Sequence, residues 1–239
     1  MTGFIKRFYF IGCAAAICSS GVAQVSDAEL WTGAGIRKNI TKKLSVHFEE
    51  QVRMNDNISS IKNYFSQVGA AYRLNKYLKV SGAYRFKNVQ RLDGTYRVVN
   101  RLHGDVRFRY KAKPIIVLYR ARMQVEYGQR NNGPRTDYYD RNKLTLKLDL
   151  DKMFSPYISS EVYLDITAKQ FDKVRYTIGT DLDLNKRNEV TIFYRIQREF
   201  NVNNPKYSYI IGLSYLYKLK GRLIKKKKKK KQKASESEQ

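Results

Sequence analysis

Arginine and lysine recur at alternate positions along several stretches of this chain. Arg101, His103, Asp105, Arg107, Arg109 and Lys111 form one such row, and Arg120, Arg122, Gln124 and Glu126 form another. On an extended strand this spacing sends every member of a row to the same face. A face studded with guanidinium groups lowers the barrier for anions and repels cations. The residues that carry this chemistry are Arg85, Arg101, Arg107, Arg109, Arg120, Arg122, Arg175 and Arg195. Arg73, Lys79, Lys87, Lys143 and Lys147 fall on the same inferred face, and Glu49, Asp105, Glu126, Glu161 and Asp181 are among the fewer carboxylates that oppose them.

Catalytic chemistry has less to work with. His47 shares a face with Ser45, Glu49 and Gln51, and His103 sits between Arg101 and Asp105. A His47–Glu49 pair has the spacing of an oriented base, which keeps a rim-located hydrolase as a distant alternative. A histidine that is one more member of a polar row is the simpler reading, so no catalytic residue is expected. Two histidines without thiols would need carboxylates from other strands to hold a metal. Asn55-Asp56-Asn57 lacks the remaining positions of a calcium loop and reads as turn chemistry. No phosphate-binding glycine loop is present, and no cofactor is expected.

The elements that must position these rows are strands. Leu144, Leu146, Leu148 and Leu150 alternate with Lys143, Thr145, Lys147 and Asp149. Val174, Tyr176, Ile178, Thr180, Leu182 and Leu184 alternate with Arg175, Thr177, Gly179, Asp181 and Asp183. The same pattern starts segments near Leu30, Leu44, Tyr64, Leu78, Leu102, Ile115, Leu144, Ile158, Val174, Val190 and Tyr207. That is about eleven strands. The even number usual for single-chain bacterial barrels, and a length of roughly 18 residues per strand and connection, favour twelve within a range of about ten to twelve. The connections alternate: short ones contain 39–43, 75–77, 111–114, 151–155 and 185–187, and longer ones run through 54–62, 88–96, 129–140, 167–173 and 200–206. Short periplasmic turns opposite longer external loops would produce that alternation.

Alternation alone does not say which face is inside. On the final segment Tyr207, Tyr209, Ile211, Leu213, Tyr215 and Tyr217 place aromatics at both ends and aliphatics between, the profile of two interfacial girdles around a hydrocarbon band. The opposite faces carry too many charges for a dry core, where each unpaired charge costs several kcal/mol. The expectation is an all-β, antiparallel up-and-down transmembrane β-barrel with a wet, basic lumen. A soluble sandwich or lipocalin-like barrel with its oily faces packed together is the competing arrangement. Glu50 falls on the lipid side and is expected near the interface.

Lys6 and Arg7, the apolar run from Phe8 to Ile17 and the small residues Gly21 and Ala23 have the order of a secretory signal peptide. The expected organisation is a signal peptide over 1–23, a barrel over 24–221 and a disordered lysine-rich tail over 222–239. Cys13 and Cys18, the chain's two cysteines, both lie in the leader, so a cleaved protein has no disulfide. Acylation at Cys18 is disfavoured by the bulky Ile17 before it. The formal charge of +26 on 239 residues stays strongly positive without the leader and the run Lys225 to Lys231. Export argues against nucleic acid as the partner. Outer-membrane lipid and small anionic solutes fit better, and the tail could dock on anionic lipid. Gly212, Tyr215 and Tyr217 resemble the C-terminal signal read by barrel-assembly machinery.

The stretch Leu30-Trp31-Thr32-Gly33-Ala34-Gly35, then Lys42-Lys43-Leu44-Ser45, Glu49-Glu50, Arg53 and Asn55-Asp56-Asn57, resembles the exported family called domain of unknown function DUF2490. Gly82-Ala83-Tyr84-Arg85-Phe86 and Tyr209-Ile210-Ile211-Gly212-Leu213-Ser214-Tyr215 are similar to it too, so the resemblance spans nearly the whole body; the lysine tail departs from it. The resemblance implies an outer-membrane-type barrel and brings no activity or catalytic residues. The function expected is a non-enzymatic structural or narrow, porin-like pore-forming barrel, or alternatively an anion-selective channel for small acidic solutes or oligosaccharides. A lumen plugged by its own ion pairs is the expected state of the interior, because small barrels are commonly filled by their own side chains, and the conducting pore is the alternative.

Overall fold

The computed structural model describes residues 26–91, 93–130, 133–150, 153–202 and 204–222. Among these, eleven strands form one closed barrel: β1 (Ser26–Asn39), β2 (Leu44–Asn55), β3 (Ser60–Arg73), β4 (Leu78–Gln90), β5 (Tyr96–Ala112), β6 (Ile115–Arg130), β7 (Gly133–Leu148), β8 (Phe154–Asp165), β9 (Gln170–Asp183), β10 (Asn188–Glu199) and β11 (Tyr207–Arg222). Neighbours in sequence pair antiparallel all the way round. The ring closes where β1 meets β11 in parallel, from Ser26 opposite Tyr207 to Arg37 opposite Lys218. The expected leader and most of the lysine tail lie outside the described residues.

Eleven strands replace the favoured twelve. The alternation counted the strands; the even number came from a habit of bacterial barrels and not from this chain's residues. An odd count is compatible with closure because a parallel ladder satisfies the last edge as well as an antiparallel one does. It requires β1 and β11 to start at the same end of the barrel.

The contrast between short turns and long loops also disappears. The stretches between strands are 40–43, 74–77, 113–114, 149–153 and 184–187 at one end, and 56–59, 91–95, 131–132, 166–169 and 200–206 at the other. The segment read as a loop from Gln129 to Asp140 belongs largely to β6 and β7, whose pairing continues from Ile115–Leu148 to Arg130–Gly133. Beyond the apolar belt both faces of a strand are polar, so period two fades while backbone pairing persists.

Three turns at the first end share one device. In Ile40-Thr41-Lys42-Lys43, Leu74-Asn75-Lys76-Tyr77 and Leu184-Asn185-Lys186-Arg187, the second side chain accepts hydrogen bonds from backbone N–H groups two and three residues on. The distances are 2.8 Å for both bonds to Asn75 and 2.9 Å for both bonds to Asn185. These side-chain-capped turns fix the hairpins and leave Lys42, Lys76 and Lys186 at their tips.

The outer face is apolar. Val68, Leu102, Met123, Ile158, Ile178 and Ile211 are each more than half exposed, an arrangement that water would penalise and acyl chains favour. Tyrosines bracket this belt, and three satisfy their hydroxyls on an asparagine of the next strand: Tyr84 to Asn100 (2.5 Å), Tyr119 to Asn142 (2.6 Å) and Tyr215 to Asn188 (2.6 Å). Each asparagine lies diagonally across the ladder, two residues from the tyrosine's direct partner. Glu50 is exposed on this outer face between Phe48 and Val52 of its strand.

Candidate functional site

The interior is built from the other row of every strand. Along β5 and β6 two direct cross-strand pairs carry opposite charge, Asp105 facing Arg122 and Arg101 facing Glu126, while Arg107 faces Arg120. Three carboxylates organise the charged wall, Asp105 and Glu161 buried and Glu126 partly exposed. Asp105 accepts a two-pronged contact from Arg122 (Nε 2.6 Å, Nη2 2.9 Å) and another from Arg107 (2.6 Å). Glu126 pairs with Arg101 and with Lys87 (3.4 Å). Glu161 takes Arg141 (Nη2, 2.8 Å), Arg120 and, at 3.9 Å, Arg175. Guanidinium forks match carboxylates in geometry, so such pairs fix side-chain direction as well as charge.

The wall at the seam is different. Trp31 of β1, Phe193 of β10 and Ile210 of β11 form a buried cluster, with Tyr157 packed against it. Gly212 makes this possible: it pairs with both Trp31 and Phe193, and the Phe193 ring lies over the space that a side chain would occupy. Parallel closure is thus backed from inside by apolar packing.

Between the two walls arginines stack on aromatic faces. The Arg53 guanidinium carbon lies 3.7 Å from the centre of the Trp31 ring and 5.1 Å from that of Phe65, and Arg85 lies 3.5 Å from Phe65. Arg195 is 5.0 Å and Arg175 is 5.2 Å from the Trp31 ring. Each such contact contributes about 0.5–2 kcal/mol, more when shielded from water. It also keeps the cation in place without neutralising it.

These side chains surround a cavity of about 570 Å³ whose lining runs from Arg37, Lys79 and Arg107 near one mouth to Lys62, Asp172 and Glu199 near the other. Arg85, Arg101, Arg107, Arg120, Arg122, Arg175 and Arg195 all line it. Arg109 does not: β5 continues to Ala112, and the Arg109 side chain is exposed beyond the cavity. Arg37, Arg53, Lys62, Arg141 and Lys173 line it too and escaped the sequence reading. For Arg141 the cause is the late start given to β7. For Lys173 the cause is the late start given to β9, whose inward row it shares with Arg175, and for Lys62 it is a bulge. Register slips opposite Arg53/Met54 and Tyr163/Leu164, turning two successive residues inward, Lys62 with Asn63 and Asp172 with Lys173. Lys62 thereby reaches Glu29 at 2.6 Å.

His47 and Glu49 both line the cavity, but the Glu49 carboxylate receives its hydrogen bond from Gln67 (3.4 Å). His103 is buried, its Nδ1 without a hydrogen-bond partner among the described residues. Among the described residues no three His, Cys, Asp or Glu side chains stand together as metal ligands. Asp56 and Asn57 sit in a turn with positive φ, braced by Ser59 on Asp56 and by Asp27 on the Asn57 N–H (3.1 Å).

A family model described as protein of unknown function (DUF2490) matches residues 28–208. No curated protein matches the chain. Among solved structures the barrel is similar to the beta domain of the Bordetella autotransporter Brka, at 12% identity and a TM-score of 0.47 over 70% of this chain and 78% of that one. It is also similar to the siderophore receptor PirA from Pseudomonas aeruginosa, at 11% identity and a TM-score of 0.33 over 72% of this chain and 34% of that one.

Proposed function

The chain belongs to the DUF2490 family, and from its closed barrel we propose an outer-membrane protein whose narrow lumen admits small anions without catalysing a reaction. The observation that carries this reading is the imbalance of the cavity wall. Glu49, Glu126, Glu161, Asp172 and Glu199 are its carboxylates, and arginines and lysines outnumber them about threefold. Such a wall draws anions in and excludes cations.

The membrane half of the proposal rests on the apolar outer face. Ile178 lies near the middle of β9 and points outward. In a bilayer Ile178→Arg costs about 2–4 kcal/mol, whereas on a water-exposed sheet it costs almost nothing. Denaturant unfolding from lipid vesicles reads the difference directly; an unchanged midpoint rejects lipid contact at this position. Lys42, Lys76 and Lys186 at one end fit contact with anionic headgroups, and the Gly212, Tyr215, Tyr217 row of β11 fits recognition by barrel-assembly machinery.

Planar-bilayer recording under a salt gradient tests the lumen. The expected reversal potential is that of an anion-selective pore. Arg37 and Lys79 line the cavity and have no ion pair among the described residues, so Arg37→Gln and Lys79→Gln remove charge without orphaning a carboxylate. A unit charge about 7 Å from the ion path contributes about 0.6 kcal/mol in water, favouring an anion and opposing a cation, so each substitution lowers the anion-to-cation permeability ratio about sevenfold.

One observation favours a second reading, a sealed structural barrel. Arg101, Asp105, Arg122, Arg141 and Glu161 are all buried, so side chains fill the middle of the lumen opposite the seam. A folded barrel that carries no current in the bilayer would establish that reading and end the first.

A further inference from the structure

The three carboxylates of the charged wall account for seven cations: Arg107 and Arg122 on Asp105, Lys87 and Arg101 on Glu126, and Arg120, Arg141 and Arg175 on Glu161. Arg53, Arg85 and Arg195 are left out. Each bonds only to a neutral oxygen among the described residues: Arg53 Nε to Gln51 (2.8 Å), Arg85 Nε and Nη2 to Gln67 (2.9 and 2.7 Å), and Arg195 Nε to Thr177 (2.9 Å).

The two nearest the seam converge. Arg53 and Arg195 both stack on Trp31, and both line the cavity. Their Nε edges are held by Gln51 and Thr177, and neither has a hydrogen bond from its Nη groups to a described residue. Arg175, anchored by Gln197 at 2.7 Å, approaches the same ring. The nearest acid on this strand, Glu29, is already engaged: it accepts from Trp31 Nε1 (2.8 Å) and from Lys62 (2.6 Å). What remains is a pair of fixed guanidinium forks with unused donors, neither in contact with a carboxylate of the described residues, and beside them a third guanidinium that also reaches Glu161. Planar forks in this state are complementary to an oxyanion.

We infer that the Trp31 side of the lumen is a binding site for a small divalent oxyanion of the phosphate class, held by Arg53 and Arg195 with Arg175 in support. A divalent tetrahedral anion offers enough acceptors to engage two or three forks at once and cancels more of the local charge than chloride can. Free phosphate and the phosphoryl group of a small solute present the same chemistry. A cavity of about 570 Å³ accommodates either. The inference rests on the basic lumen proposed above, but not on conduction through it.

Trp31 is the chain's one tryptophan, so its fluorescence reports on this site alone. The detergent-solubilised full chain is titrated with sodium phosphate, succinate or chloride at constant ionic strength. The expected result is a saturable change with phosphate and a weaker response to the other two. Each lost charge-assisted contact raises the phosphate midpoint about tenfold or more, so Arg53→Gln and Arg195→Gln both shift it. Should Arg53→Gln fail to fold, Arg195→Gln and Arg175→Gln carry the comparison. A response that follows ionic strength whatever the anion, an equal response to succinate, or an unmoved midpoint in the folded variants overturns the site. An anion-selective pore with flat Trp31 fluorescence removes the site and leaves the pore. Saturable binding in a barrel that carries no current does the reverse.

Discussion

Replacing Gly212 by valine is expected to abolish the closed barrel, and replacing it by alanine to weaken it measurably. A Cβ at this position would lie 2.0 Å from Phe193 Cζ and 2.2 and 2.5 Å from the two Cε atoms, far inside contact distance. Neither side has room to yield. The backbone of Gly212 is paired on one flank to Trp31 and on the other to Phe193, and the ring is held by Trp31, Ile210 and the Arg195 guanidinium 4.5 Å from its centre. Overpacking of this kind costs about 1–3 kcal/mol for a single methyl and more for a branched side chain. The strain falls on the β1–β11 seam, the ladder that joins the first strand to the last.

Gly212 also belongs to the terminal row that resembles an assembly signal, so a loss of folded barrel has two explanations. A double-mutant cycle separates them. In a Phe193→Ala background the ring is gone, and Gly212→Ala should then cost nothing measurable in denaturant unfolding. An undiminished cost in that background would reject the clash as the cause. Lost recognition by assembly factors has a different signature, failure to assemble in cells with an unchanged unfolding midpoint after refolding from purified chain.

Much of this architecture was legible because period two survives wherever one face meets an apolar phase. The leucine row of β7, the tyrosine-bounded row of β11 and the arginine rows of β5 and β6 all lie on the faces that alternation assigned to them. Legibility failed where that contrast is lost. Past the belt both faces of β6 and β7 are wet, so Arg141 and its neighbours read as loop. At bulges the parity of the strand changes, and alternation has no way to announce that Lys62 and Asn63 both turn inward. The aromatic side of the lumen left a fainter mark. Phe65 sits in a row with Asn63 and Gln67, and Phe193 in one with Thr191 and Arg195. An aromatic in a polar inner row signals stacking against cations, but the partner that supplies the cation comes from a distant strand. Arg53 reaches Trp31 through the β1–β2 register, whereas Arg195 and Arg175 reach it across a seam whose parallel pairing no local pattern encodes.

The charged wall bears on whether the lumen conducts, through Glu161. Its carboxylate receives Arg141, Arg120 and Arg175, from β7, β6 and β9, so it ties three strands to β8. Glu161→Gln keeps the size and one acceptor but removes the charge, leaving three guanidiniums facing one another. In a dry interior, removing one partner of a buried pair costs about 3–5 kcal/mol because the remaining charge is uncompensated. At a wet wall the cost falls to about 1 kcal/mol or less, since water and entering anions do the compensating. The burial of Glu161 and Arg141 argues for a value nearer the first. The expected outcome is therefore a loss of about 3 kcal/mol in denaturant unfolding from vesicles, partly recovered by adding Arg120→Gln, which removes one orphaned cation. The same variant should carry a larger anion current than the parent, because the lumen has gained net positive charge and lost its strongest cross-link. A stability loss without any current would mean that the network is a plug. A current gain with an unchanged unfolding midpoint would mean that Glu161 already stands in open water and that the middle of the lumen is not sealed.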